Sequence, residues 1–167
     1  MSDQAKLLET VAITDVLNRY FAPLDQKQLD DTTMRRIFAE HATVVRPNGT
    51  AMIGPTAIAE SHRTSLSRFR ATQHLTSGFL ITLAENMTAA FRANLVAMHL
   101  WAEGEGDPSV DPSDNYFLAG TVISGQVTLE AEGWRITELA NQPTWLKGTG
   151  FHQMLHTQSA ELPSKEE

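Results

Sequence analysis

The feature that most constrains this chain is a change of period after Arg70. Before it, apolar residues recur at helical spacing. From Thr72 onward they fall into strand-like runs. Four such runs follow one another: Thr72 to Leu83, Met87 to Glu103, Tyr116 to Glu130 and Trp134 to Leu146. All exceed the usual strand length of about five or six residues. Glu85-Asn86 and Ala131-Glu132-Gly133 read as turns, and Glu103 to Asp114, rich in Gly, Pro and Asp, reads as a loop. Strands this long coil unless something holds them flat, and a coiled sheet is concave on one side. The expected fold is α+β: N-terminal helices packed on a strongly curved, mostly antiparallel sheet, together forming a cone-shaped barrel. A cone of this size fills incompletely, and the unfilled part is a pocket.

The helical part supports that order. Ser2 or Asp3 can cap a first helix whose stripe is Leu7, Leu8, Val11, Ile13, Val16, Leu17, Tyr20 and Phe21. Pro23 is expected to end it near Phe21. Asp30 or Asp31 caps a second, short helix with Met34, Ile37 and Phe38 on its buried side. Pro47-Asn48-Gly49 between Val44-Val45-Arg46 and Thr50-Ala51-Met52-Ile53 signals a hairpin. Gly54-Pro55 opens a third helix, with Ile58, His62, Leu66 and Phe69 on its stripe. Residues 1–147 read as one domain and 148–167 as a polar, frayed tail.

Composition removes whole classes of function. The 167 residues are 41% hydrophobic and 20% charged, the range of an ordinary folded domain. The net charge of −7 argues against nucleic acid and against an anionic membrane surface as partner. Having no cysteine, the chain has no disulfide, thiolate metal site or cysteine nucleophile. No apolar run approaches the roughly 20 residues of a membrane span. Met1 to Leu8 lacks the basic-then-apolar order of a signal peptide, so a cytoplasmic protein is expected.

Candidate chemistry lies on the strands. One face of the second long strand reads Phe91, Ala93, Leu95, Ala97, His99 and Trp101, and is apolar except for His99. The plain reading of His99 is a core histidine bonded to a backbone carbonyl. His74 lies near the start of the preceding strand, on a face with Thr72, Thr76 and Leu80. Pairing across the Glu85-Asn86 turn sets it near residue 97, which would aim both imidazoles into one cavity. Its plain alternative is a strand-end histidine near solvent. Asp25 follows the first helix as a loop carboxylate or cap, and Tyr20 sits one helical face back. His41 would support the end of the short helix, and His62 lies on the third helix with no second ligand a turn away. His152 and His156 are four apart in the tail, but no carboxylate joins them at ligand spacing, so no metal site is expected. Trp101, Trp134, Trp145, Phe79, Phe91 and Phe117 suit a core or an interface. The outward face with Val96, Met98 and Leu100 is too apolar for open water.

Several of these features also carry a resemblance. They are Asn18-Arg19-Tyr20 with Asp25, Phe38-Ala39-Glu40-His41-Ala42, Gly54-Pro55, Thr72-Gln73-His74 and Gly133-Trp134-Arg135-Ile136. In their order and spacing the chain, from about Ala5 to Leu146, resembles the SnoaL-like branch of the nuclear transport factor 2-like superfamily. The resemblance implies the cone fold and a cofactor-independent site. In scytalone dehydratase-like members that site holds an aspartate and two histidines, at positions matching Asp25, His74 and His99. Bile-acid-type dehydratases imply a tyrosine and aspartate spaced like Tyr20 and Asp25, but a carboxylate expected near residue 97 is replaced by Ala97 here. Arg135 falls too early for the arginine of that pattern. Family members commonly dimerise through the sheet, so a homodimer is expected.

Proton transfer is the chemistry these side chains suit. His74, oriented by Asp25, is the expected general base or acid, His99 the second proton carrier, and Tyr20 the donor to an oxyanion. Trp101, Phe91, Leu95 and Thr76 are the expected substrate contacts. The leading expectation is a cofactor-independent dehydratase, isomerase or cyclase for a small, apolar, carbonyl-bearing, polyketide- or steroid-like substrate. A non-catalytic binder of such a molecule, or a dimer-forming subunit like the small subunit of ring-hydroxylating dioxygenases, would use the same fold.

Overall fold

The structure, a computed structural model, describes residues 2–150. A long helix α1 (Asp3–Gln26) and a short helix α2 (Asp31–Arg35) lead into strands β1 (Phe38–Val45) and β2 (Ala51–Ile53). Helix α3 (Pro55–Leu66) precedes the four long strands β3 (Phe69–Leu83), β4 (Thr88–Trp101), β5 (Tyr116–Glu130) and β6 (Gly133–Gly148). One six-stranded sheet runs in the order β2-β1-β6-β5-β4-β3, antiparallel except where β1 lies parallel to β6. The sheet curls but does not close into a barrel, since β2 and β3 remain edges. Among the described residues, no helix is long and apolar enough to cross a membrane.

The core lies between the concave face and the helices. Ile13, Val16, Leu17, Tyr20, Phe21 and Leu24 of α1 pack with Ile58 and Leu66 of α3 and with the inner residues of β4 and β5. Leu7, Leu8 and Val11 do not join them; all three are largely exposed, because the first turns of α1 carry them away from the sheet. Glu9 marks the transition, accepting a 2.6 Å bond from the Trp134 indole.

Pro23 does not end α1. The helix runs on to Gln26, and its end is set by Lys27 in the left-handed region, whose N–H, with that of Gln28, reaches back to Pro23 and Leu24 carbonyls. A proline one turn from the end removes only one helical bond, so the final turn survives. Asp25 is therefore a helical residue, held rigidly toward β3, rather than a loop carboxylate.

Two further expectations shift. Helix α3 stops at Leu66, and Phe69 begins β3 instead. His41 lies within β1 and is exposed, so it supports no helix end.

β3 carries a bulge. Ser77 pairs with Asn94 and Leu80 with Arg92, so Gly78 and Phe79 together oppose one residue. Gly78 takes a positive φ of 61°, and a Cβ there would sit 2.9 Å from the Asn94 amide nitrogen. The extra residue inverts the facing of the strand beyond it. Leu80 turns outward, 65% exposed, and is not on His74's face as the simple alternation implied.

Candidate active site

The pairing expected across the β3–β4 turn is present: His74 faces Ala97 and Thr72 faces His99. The two imidazoles thus share the concave face, with ring centroids 5.6 Å apart and nearly perpendicular. Asp25 approaches from the last turn of α1. Its Oδ1 lies 2.6 Å from His74 Nδ1 and accepts from the Thr72 hydroxyl at 2.9 Å, while Oδ2 accepts the His74 backbone N–H at 2.9 Å. Burial pushes this carboxyl up, but the bonds from the His74 side chain and backbone, with Thr72, outweigh it and hold the pKa below the usual aspartate value. Asp25 is ionised at neutral pH, so His74 must donate from Nδ1. That leaves Nε2 as the basic nitrogen. A carboxylate in the last turn of a helix opposes the helix dipole; here three hydrogen bonds from β3 compensate.

His74 and His99 line a cavity of about 130 Å³ under α1 and α3. Phe21, Leu24, Leu95 and Phe117 supply much of the apolar wall. That volume is close to the roughly 150 Å³ of an engineered apolar cavity that takes up benzene. The site has room for about one ring. His99 stacks on Phe117 with centroids 4.1 Å apart and is 7% exposed. Burial, then the neighbouring His74, lower its pKa to about 3, against smaller opposing pulls from Asp25 and the Phe117 backbone. His99 is uncharged at neutral pH and has no imidazolium proton to give.

Tyr20 is not bonded to the Asp25–His74 pair. Its hydroxyl lies 2.8 Å from His62 Nε2. Burial, only partly countered by Arg46, raises the phenol above its ordinary value, so Tyr20 stays protonated. His62 belongs to the cavity wall, a role that metal-ligand spacing alone does not reveal. Its position on one stripe with Ile58 and Leu66 was the available signal. Burial, then the charges of Arg46 and His74, press the His62 pKa down to about 3.

Arg46 and Asn141, which no motif singles out, also line the cavity. Arg46 directly follows β1, two residues after buried Val44. A cation at an inward parity was the readable sign.

The expected substrate contacts divide. Leu95 lines the cavity. Phe91 sits deeper in the core, opposite Ile81. Thr76 donates to the Asn18 side chain instead. Trp101 lies under the 102–115 loop, with its indole N–H on the Thr149 carbonyl and Arg68 over its ring. Arg135 is bound to Glu132 and the Trp134 carbonyl, away from the cavity. His152 and His156 lie outside the described residues. Among the described residues, no three His, Cys, Asp or Glu side chains converge on a point suited to a metal ion.

Helices over a curled sheet, with a polar-studded cavity between them, define the nuclear transport factor 2-like class of α+β proteins. A family model for the SnoaL-like domain matches residues 5–140, and the chain belongs to that family. No curated protein matches the sequence significantly. Among solved structures it is similar to the Kfla4162 protein of Kribbella flavida, at 19% identity and TM-score 0.77, covering 90% of this chain and 99% of that one. A protein of Novosphingobium aromaticivorans, provisionally called a scytalone dehydratase, matches at 18% identity and TM-score 0.74, covering 88% and 91%. The type-3 LinA hexachlorocyclohexane dehydrochlorinase of Novosphingobium barchaimii matches at 14% identity and TM-score 0.74, covering 88% and 94%. At these identities the likeness is one of fold.

Proposed function

We propose that the chain is a cofactor-independent acid–base enzyme, a dehydratase, isomerase or cyclase, acting on a small ring-bearing carbonyl compound. The observation that carries this reading is His74 in the wall of an apolar cavity with Asp25 bonded to its Nδ1. His74 Nε2 takes the proton next to the substrate carbonyl. Asp25 keeps the other ring nitrogen protonated and stabilises the imidazolium that forms. Tyr20 donates to the enolate oxygen, its phenol oxygen accepting from His62 Nε2–H so that its own proton is free. The imidazolium then protonates a leaving hydroxyl, or another carbon, or the alkoxide formed when the enolate closes a ring. His99, neutral and stacked on Phe117, hydrogen-bonds the substrate rather than carrying a proton.

A purely structural role fits less well. The Thr72 hydroxyl and the His74 backbone N–H already tie Asp25 to β3, so a structural role alone does not call for the further bond to an imidazole that lines the cavity. The outer face supports a homodimer through the sheet. Leu75, Val96 and Trp145, the last packed over Gly120, form one row across four strands, and each is at least 38% exposed.

A panel of single-ring ketones serves as the test, because exchange of a proton next to a carbonyl reads the base whatever the natural substrate is. The panel is incubated in D2O and followed by NMR for loss of those protons. Wild type exchanges at least one of the ketones, and His74→Gln does not. Equal exchange by a folded His74→Gln protein refutes the assignment.

A further inference from the structure

The cavity has a second polar end that the proton-transfer scheme does not use. Arg46 enters it from the end of β1. Its Nη1 donates to the Ser65 hydroxyl at 2.7 Å, and its Nε contacts the Met52 sulfur at 3.4 Å. Nη2 is buried with no partner. Among the described residues, no carboxylate lies within ion-pair distance of it. Burial lowers the pKa of the group, with Tyr20 opposing, but an arginine remains a cation at neutral pH.

Asn141 lies beside it. Val45 pairs with Ala140, so Arg46 and Asn141 are the next residues along neighbouring strands. The Asn141 Oδ1 is also buried and unpartnered, and so is the Thr121 hydroxyl on the adjoining strand. Three unpaired polar groups at one end of an apolar cavity are a costly arrangement for an empty protein. A half-buried guanidinium without a counter-ion is the costliest of them, because it gives up water and receives no charge in return. Met52 and Ser65 are neutral and cannot balance it.

We infer that Arg46 and Asn141 form an anion-binding subsite, and that the substrate is a small ring-bearing carboxylate whose carboxylate docks there. The inference rests on the cavity being the substrate site. A carboxylate accepts charge-assisted bonds from the guanidinium, including the idle Nη2. The Asn141 amide offers its oxygen or, turned over, its NH₂, and so can meet either a carboxylate or a neighbouring hydroxyl. The apolar wall and the one-ring volume take the remainder of the molecule. With the carboxylate fixed at Arg46, the ring lies across the cavity toward His74 and His99.

Benzoate and benzamide, the same shape with and without charge, make the test. Titration calorimetry of the wild type should show benzoate binding at least about tenfold tighter. Arg46→Gln should abolish that preference and leave benzamide binding in place. Arg46→Lys should retain part of it. His74→Gln should keep the preference while losing proton exchange, which separates this claim from the catalytic one. Equal binding of the two probes by wild type overturns the subsite even if Arg46→Gln does not fold. So does a preference that survives in folded Arg46→Gln, or no benzoate binding at millimolar concentration.

Discussion

His74 and His62 line the same cavity, yet their surroundings are opposite. His74 has a carboxylate at 2.6 Å that fixes its tautomer. His62 has a tyrosine at 2.8 Å; burial, then Arg46 and His74, hold it neutral down to a pH of about 3. In the proposed scheme one imidazole accepts a proton and the other passes on a hydrogen bond. By residue type alone the two are equivalent. Their partners separate them: Asp25 of α1 for His74, and Tyr20 of α1 with Arg46 at the end of β1 for His62.

The largest effect expected from breaking that contrast is at the His74 end. His74→Gln, and Asp25→Asn, which can reverse the tautomer, should each slow proton exchange about 10²–10⁴-fold. Tyr20→Phe tests the other end. It removes one donor to the developing oxyanion and should cost on the order of 10² in rate with little change in affinity. Exchange rates at saturating substrate check both. A Tyr20→Phe loss equal to that of His74→Gln would erase the division of roles.

Acid stability sharpens the comparison further. His62 and His99 have folded pKa values of about 3 against an ordinary 6.5. Above pH 6.5 both states are neutral and nothing is gained or lost. Between 6.5 and about 3 the unfolded chain binds protons that the folded one does not, so stability falls as pH falls. The slope is about 1.4 kcal/mol per pH unit for each histidine. His62→Gln should remove about one histidine's share, seen as a shallower decline in urea midpoints from pH 7 to pH 5. Asp25 contributes only lower, where its depressed carboxyl is finally protonated. The smallest effect on chemistry is expected outside the cavity. Val96→Asp should shift sedimentation toward monomer while exchange stays within a few-fold of wild type.

Much of the fold was readable in the sequence because it rests on local pattern. The change of period gave the layer order. Pairing across Glu85-Asn86 put His74 opposite Ala97, where it stands. The departures have physical causes. Pro23 sits close enough to a helix end that one lost bond is tolerated, so Asp25 is helical. Gly78 inserts a bulge that no alternation rule anticipates, so Leu80 faces out. Arg46 and His62 meet Tyr20 only through the packing of β1 and α3 against α1, contacts between residues far apart in the chain. The Trp101 face points inward as its alternation implies, but the strand carries Trp101 past the cavity to the covering loop.

The central claim is that Asp25 holds His74 with its proton on Nδ1 and its Nε2 free for the substrate. Long-range ¹H–¹⁵N NMR of the histidine rings at neutral pH tests it directly. His74 should show the Nδ1–H tautomer, weakened or lost in Asp25→Ala, with His99 and His62 remaining neutral as the pH is lowered to 5. A His74 ring protonated on Nε2 in the wild type, or a tautomer indifferent to Asp25→Ala, would contradict it.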